Sequence, residues 1–405
     1  MTLIFDPSVT VTNYDAPGLE ITVTSATVKD FSVTIGRDDL NQKVADYSVQ
    51  IRFVRETLEA LLATASWTLS EFCQLGNIVT IQRTYFGGVV TFIECYVTDI
   101  QRDRDTITLS GVDGMSFKSG QLLGFNFTGY IGNLPTGYIY TNGIANQIQT
   151  ATGVRVYDER TGSLTSAAIV VGQTVTSVPA FLEDLLAWTP TTWIIPGSKR
   201  GTTDKNDVEM GGYFVYLFDR PNTLPATYAT FTDDNIIDVI QYSRNISDAV
   251  TQSTVSNTAQ GWSTTITDQA AADAIGYRST SLEAVIDYQG VSTLAASRLA
   301  EQSMRRAPIM RIITSWSLYG NPLWMPNQIV DVSALTTPDF DGMEKAWIEK
   351  VVARYDGSDV LFELTISDAN YTSTPQTYAQ VPALRTWAQI PATLTWAEAL
   401  ISEIT

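Results

Sequence analysis

Phe31-Ser32-Val33-Thr34-Ile35 and, twelve positions further on, Tyr47-Ser48-Val49-Gln50-Ile51-Arg52-Phe53 carry an apolar residue at every second place. Successive side chains of a strand point to opposite faces, so this period buries one face and leaves the other wet. Working outward, Ile78–Arg83, Val89–Ile100 and Thr106–Val112 read as further strands, with turns at Gly87-Gly88 and Arg102-Asp103-Arg104-Asp105. Threonine and valine, which suit a pleated surface, dominate this part. Residues 1–120 are expected to form a tube-like antiparallel β domain, a barrel or sandwich. Thr57–Ala65, rich in Leu and Ala, interrupts it as a short helix or a loop flap on the barrel.

From residue 121 the alternation loosens. Asn142 can cap a helix carrying Ile144 and Ile148, and Ser177 with Pro179 can open another, with Leu182, Leu185 and Leu186 as its stripe and Thr189-Pro190 as its stop. A polar loop, Gly197 to Gly212, leads to a strand at Tyr213–Phe218, so 121–225 is expected to be a small α+β domain. Residues 226–370 return to strands at Ile309–Trp316, Gln328–Val332, Ala346–Ala353 and Val360–Ile366. Among them a helix is expected over about 292–307: Ser292 caps it, Val291, Leu294, Ala295 and Leu299 line one side, and Arg305 and Arg306 face the negative end of its dipole before Pro308. Residues 371–405 lack alternation and read as an extended arm.

Two repeats stand out. Ile78-Val79-Thr80-Ile81 leads to Val97-Thr98-Asp99-Ile100 as Ile329-Val330-Asp331-Val332 leads to Trp347-Ile348-Glu349-Lys350-Val351, and Val79 to Ile100 and Val330 to Val351 are both 21 residues. Any two meanders can match this far; a real match would give each chain two similar β units. In the arm, Thr386-Trp387-Ala388-Gln389 returns as Thr395-Trp396-Ala397-Glu398, with Ile390-Pro391 between. Two indoles on so short a segment need pockets elsewhere, in the parent domain or in a neighbouring subunit, so Trp387, Trp396, Ile390 and Pro391 are candidate contact residues. Exposed strand edges must also be covered, which nominates Val49 and Ile51 in one β domain and Ile329 and Val330 in the other.

The chain of 405 residues is long enough for two to four domains, and 43 acidic against 25 basic side chains give a net charge of −18. That sign opposes gripping a phosphate backbone, although it lets a polyanion slide past. Cys73 and Cys95 lack paired spacing and read as small buried groups in a protein made in a reducing compartment. No export signal and no run of 18 apolar residues is read, so a soluble chain is expected. With 0 His and 2 Cys, triads, His-containing zinc sites and thiolate zinc sites are all excluded. Gly87-Gly88 and Gly211-Gly212 are isolated turn pairs rather than a phosphate loop. Asp38-Asp39 and Asp233-Asp234 are adjacent carboxylates, which a strand would send to opposite faces, so they suit turns better than glycoside hydrolysis. Asp204, Asn206 and Asp207 begin like a calcium loop until Val208 breaks the spacing, and Asp339 and Asp341 before Gly342 read as a turn. No catalytic residue, cofactor or metal site is nominated.

Val33-Thr34-Ile35-Gly36-Arg37-Asp38-Asp39-Leu40, Tyr47–Ile51, Leu75-Gly76-Asn77-Ile78-Val79-Thr80-Ile81, Val97–Ile100, Ser292–Pro308 and the paired Trp motifs occur in an order that resembles the minor tail, or baseplate-hub, proteins of long-tailed bacteriophages, especially those of actinobacteria. The resemblance covers about two thirds of the chain by order of segments, not by any one of them. It implies a mainly β fold with an α+β insertion, whose tube-like domains form a ring in a homotrimer at the distal tail tip of the virion. It also implies partners: other copies of the chain, the tail tube or distal tail protein, the tape measure protein, and other minor tail proteins, fibres or a spike. DNA would pass without specific binding. A distal tail ring component or a host cell-wall carbohydrate-binding tail protein is the alternative, and a His-free glycosidase the remote one.

Overall fold

The computed structural model describes residues 7–16, 18–37, 46–85, 88–118, 123–129, 155–158, 169–176, 180, 192–196, 214–219, 224, 226–243, 250–257, 261–283, 309–315, 324–336 and 343–369. The alternating stretches of the first segment become β1 (Pro7–Thr12), β2 (Glu20–Val23), β3 (Val28–Gly36), β4 (Asp46–Val54), β5 (Ile78–Tyr85), β6 (Gly88–Arg102) and β7 (Thr106–Val112). Thr57–Ala65 resolves as a helix, α1 (Arg55–Thr64), whose buried Leu58 and Leu62 stand one turn apart. A single-turn helix, α2 (Leu69–Phe72), follows. Its start is fixed by a capping box in which the Thr68 hydroxyl accepts from the Glu71 N–H and the Glu71 carboxylate accepts from Thr68. The short α3 (Gly114–Lys118) ends this part.

In the middle segment β8 (Leu123–Gly129) pairs with β10 (Ile169–Thr176), while β9 (Arg155–Asp158), β11 (Thr192–Pro196) and β12 (Phe214–Asp219) form a mixed three-stranded sheet. The helices expected at Asn142 and after Ser177 fall essentially outside the described residues, as does the 292–307 helix. The last segment supplies β13 (Ala229–Thr232), β14 (Asp238–Ser243), β18 (Ile309–Ser315), β19 (Ile329–Ala334), β20 (Lys345–Tyr355) and β21 (Val360–Asp368). Between β14 and β18 lies a separate three-stranded sheet of β15 (Gln252–Asn257), β16 (Trp262–Thr267) and β17 (Ser279–Glu283), with helix α4 (Gln269–Ile275). Among the described residues no helix is long and apolar enough to cross a membrane.

The first and last segments share one 13-stranded sheet, in the order β14-β18-β21-β20-β3-β4-β7-β6-β5-β1-β2, with β13 and β19 branching from β20. Its strands are antiparallel except for the β13–β19 pair. One hydrophobic cluster runs through both segments, from Val9, Phe31 and Ile51 to Met310, Val330 and Phe362. Residues 1–120 and 226–370, expected as two β domains, are thus sewn together by the antiparallel ladder between β3 and β20.

The long repeat is real at the level of individual ladder partners. Ile78 faces Tyr96 and Val79 faces Cys95, and 251 residues later Ile329 faces Trp347 and Val330 faces Ala346. Gly76 N–H donates to Val97 O and Val97 N–H to Asn77 O; at the same offset Asn327 N–H donates to Ile348 O and Ile348 N–H to Gln328 O. The turn residues in the two copies, Gly76 (φ +88°) and Asn327 (φ +69°), both occupy the left-handed region that Gly and Asn tolerate best. A β-bulge falls at Thr98 in the β6–β7 ladder and at Glu349 in the β20–β21 ladder. Continuing outward, β4 corresponds to β18 and β3 to β14, and Asp30 opposite Arg52 matches Asp238 opposite Ile313. Among the described strands the repeat breaks at this outer end: β1 runs antiparallel to β5, whereas its counterpart β13 runs parallel to β19, and β2 has no described counterpart.

Candidate assembly site

Where β3 meets β20, Gly36 and Arg37 close against the Glu349 bulge. Arg37 N–H donates to Glu349 O at 3.1 Å, and the Arg37 Nε donates to Glu349 Oε2 at 2.9 Å, with the two side chains only 3% and 1% exposed. The Ser367 hydroxyl donates to the other carboxylate oxygen, so the carboxylate is met from two strands. Gly36 has φ +136°, and a Cβ there would stand 2.3 Å from Glu349 O and 2.4 Å from Lys350 Cα. Only glycine admits so close an approach. The register that joins the two halves therefore rests on Gly36-Arg37 and Glu349. The spacing of apolar residues could not disclose this, because the partners are 312 residues apart.

β20 works as two half-strands. Its first residues, Lys345 to Trp347, pair with β19, and its remainder, Lys350 to Tyr355, receives β3. β6 is built the same way: residues up to Tyr96 pair with β5, but beyond Val97 it has β7 on one side and no partner on the other among the described residues. Burial follows the pairing. Val351 and Ala353 are 1% and 0% exposed, while their counterparts Ile100 and Arg102 are half-buried and exposed. β14, the counterpart of β3, pairs with β18 alone among the described residues, and Ile237 beside it is 51% exposed.

The nominated edge residues lie elsewhere. Val49 and Ile51 sit on β4, between β3 and β7, and Ile329 and Val330 sit on β19, between β13 and β20. All four are at most 3% exposed within the single chain. The expectation that these strands are open edges is thereby corrected: each ladder is filled on one side by the strand next in sequence, β3 or β20, and on the other by a more distant one, β7 or β13. Trp387, Trp396, Ile390 and Pro391 fall outside the described residues, as do Asp38-Asp39, Asp204, Asn206, Asp207, Asp339 and Asp341. The Asp233 carboxylate accepts from the N–H and hydroxyl of Thr336, tying the β13 turn to the end of β19. Cys73 and Cys95 are buried and free. Among the described residues no three His, Cys, Asp or Glu side chains converge on a metal-sized site.

No family model matches the chain, and no curated protein matches it by sequence. Solved structures do match. The 43 kDa tail protein of prophage MuSo2 from Shewanella oneidensis superposes with a TM-score of 0.52 at 13% identity, over 90% of this chain and 99% of that one. A tail protein from Neisseria meningitidis MC58 gives 0.55 at 12% identity, over 91% and 98%. Prophage tail protein gp18 from Listeria monocytogenes EGD-e gives 0.51 at 10%, over 89% and 94%. The chain shares its fold with these tail proteins. Identities this low carry architecture only, and the function rests on what the sheet's edges and junction can do.

Proposed function

We propose that the chain is a structural, non-enzymatic subunit of a phage tail tip, a baseplate-hub or minor tail protein resembling those of actinobacterial siphophages. In this reading three copies form a homotrimeric ring that closes the distal end of the tail tube. The ring meets the tail tube or distal tail protein and the tape measure protein on one side, and fibres, a spike or other minor tail proteins on the other. Residues 1–120 and 226–370 act as the two tube-like units, 121–225 as the α+β insertion, and 371–405 as the arm whose Trp387 and Trp396 anchor it to a neighbour. DNA passes on ejection without specific binding, favoured by the net charge of −18. The observation that carries the reading is a tail-protein fold matched over 90% and 91% of this chain and 99% and 98% of the two tail proteins.

The test is to image tails assembled with a tagged copy of the chain. Density for the tag at the distal tip, in a closed ring, is the expected result; a tag along the tube or absent from particles overturns the reading. Deleting residues 380–405 is expected to lower incorporation into tails, measured by quantifying the chain in purified particles. Unchanged incorporation removes the arm from the assembly role.

A further inference from the structure

We infer that the half of β6 with no outer partner among the described residues is completed by β14 of a second copy of this chain, in the register that β3 adopts on β20. This rests on the proposed self-assembly and names its contact. Within one chain, the repeat supplies two acceptor half-strands, β6 from Val97 and β20 from Lys350, and two donor strands, β3 and β14. The chain uses one acceptor and one donor on each other: Val352 faces Thr34, Ala353 faces Val33, and Arg354 faces Ser32. The acceptor counterparts of Val352, Ala353 and Arg354 at the 251-residue offset are Gln101, Arg102 and Asp103. The donor counterparts of Thr34, Val33 and Ser32, traced through the β3–β4 and β14–β18 ladders, are Ser243, Tyr242 and Gln241. Between copies the pairs are therefore Gln101 with Ser243, Arg102 with Tyr242 and Asp103 with Gln241, antiparallel.

The occupant is specified by the molecule itself: β3, seated on the equivalent edge, shows which strand fits. Thr98, Asp99, Gln101 and Arg102 are exposed in the single chain, and unpaired strand backbone is the surface a neighbouring strand recognises. Donor and acceptor lie on different strands, so the contact is head-to-tail. Such contacts close into a ring when the rotation between copies permits. An assembly built this way alternates covalent and non-covalent versions of one joint.

Directly opposed residues of antiparallel strands place their Cα atoms about 4.5–5.5 Å apart, inside the roughly 4.4–6.8 Å that a disulfide spans. The full chain carrying Gln101→Cys and Ser243→Cys, mildly oxidised, is expected to shift from a one-chain band to two-chain and higher bands on a non-reducing gel, with neither single variant doing so. Arg102→Cys with Tyr242→Cys is the second pair, for use if circular dichroism shows the first to be misfolded. Native mass in solution and incorporation into tails are measured alongside. Oligomers or tails that form without either cross-link overturn this inference and leave the ring reading standing. A folded chain that stays monomeric and never enters tails overturns both.

Discussion

Glu349 and its counterpart Thr98 occupy the same bulge in the two halves, yet one is buried and charged and the other exposed and neutral. The difference is explained by arrival: β3 brings Arg37 to Glu349, and no described strand arrives at Thr98. Leaving one ion of a buried pair alone costs about 3–5 kcal/mol, so Glu349→Ala is expected to lose that much in urea denaturation. Replacing both with apolar residues of similar volume is expected to recover most of it. Gly36→Ala adds a Cβ where backbone already stands at 2.3 Å, and is expected to cost at least about 1–3 kcal/mol by the same measurement. A second pair of residues sets the alkaline limit. The Tyr47 hydroxyl donates to Glu94 O at 2.8 Å and accepts from Glu94 N–H, and burial first, then the fields of Cys95, Asp113 and Glu94, raise its pKa well above the ordinary tyrosine value. Burial, with Glu94 and Asp113, raises the Cys95 thiol as well. The folded state therefore keeps protons that the unfolded chain releases near about pH 8.5 for Cys and about 10 for Tyr. The stability from these groups is complete below those values and declines as pH rises beyond them toward the folded-state pKa. Denaturation midpoints measured from pH 8 to 11 should fall, and Tyr47→Phe should flatten the upper part of the decline.

Strands with one buried and one wet face were legible: β3, β4, β5, β6, β7, β18, β19, β20 and β21 begin and end within about three residues of the stretches read from alternation. Strands without that signature were not. β1 begins with Pro7 and is buried at five of six positions, so its pattern does not alternate, and β2 has only four residues. The helical reading of α1 stayed open in the sequence because ten residues rich in Leu and Ala fit a flap as well as a helix; burial of Leu58 and Leu62 decides it. What alternation could not convey is who pairs with whom. Val49 and Ile329 looked like edge residues because β7 and β13, which close the second side of their strands, are not their neighbours in sequence. The repeat, by contrast, was readable from a 21-residue spacing, and with the ladders it located the strands left open on one side among the described residues. Hydrogen exchange on the isolated chain is expected to protect β3, β4 and the Lys350–Tyr355 half of β20 far longer than β14 and the Gln101–Arg102 end of β6. Equal protection of both β6 and β20 ends would contradict an open edge.

At the scale of the whole molecule, the shared core makes the two β segments interdependent. Phe31, Val33 and Ile35 are at most 2% exposed, and β3 bonds to β20 along its outer side. A fragment of residues 1–120 would present that strand to water and is expected to aggregate or fail to show a cooperative unfolding transition; the combination of 1–120 with 226–405 should restore one. The acidic surface, at −18 for the chain, also predicts that copies repel at low ionic strength, so association should strengthen as salt rises toward physiological levels, read by static light scattering.

The β3–β20 ladder joins two halves of the same polypeptide. Partners tied by a linker meet at an effective concentration on the order of millimolar, whatever the dilution of the chain. In the proposed ring every second joint would thereby be completed during folding, in equal stoichiometry and before any copy has met another. The halves never need to be counted out or matched by the cell; each newly made molecule enters construction as a preassembled double segment.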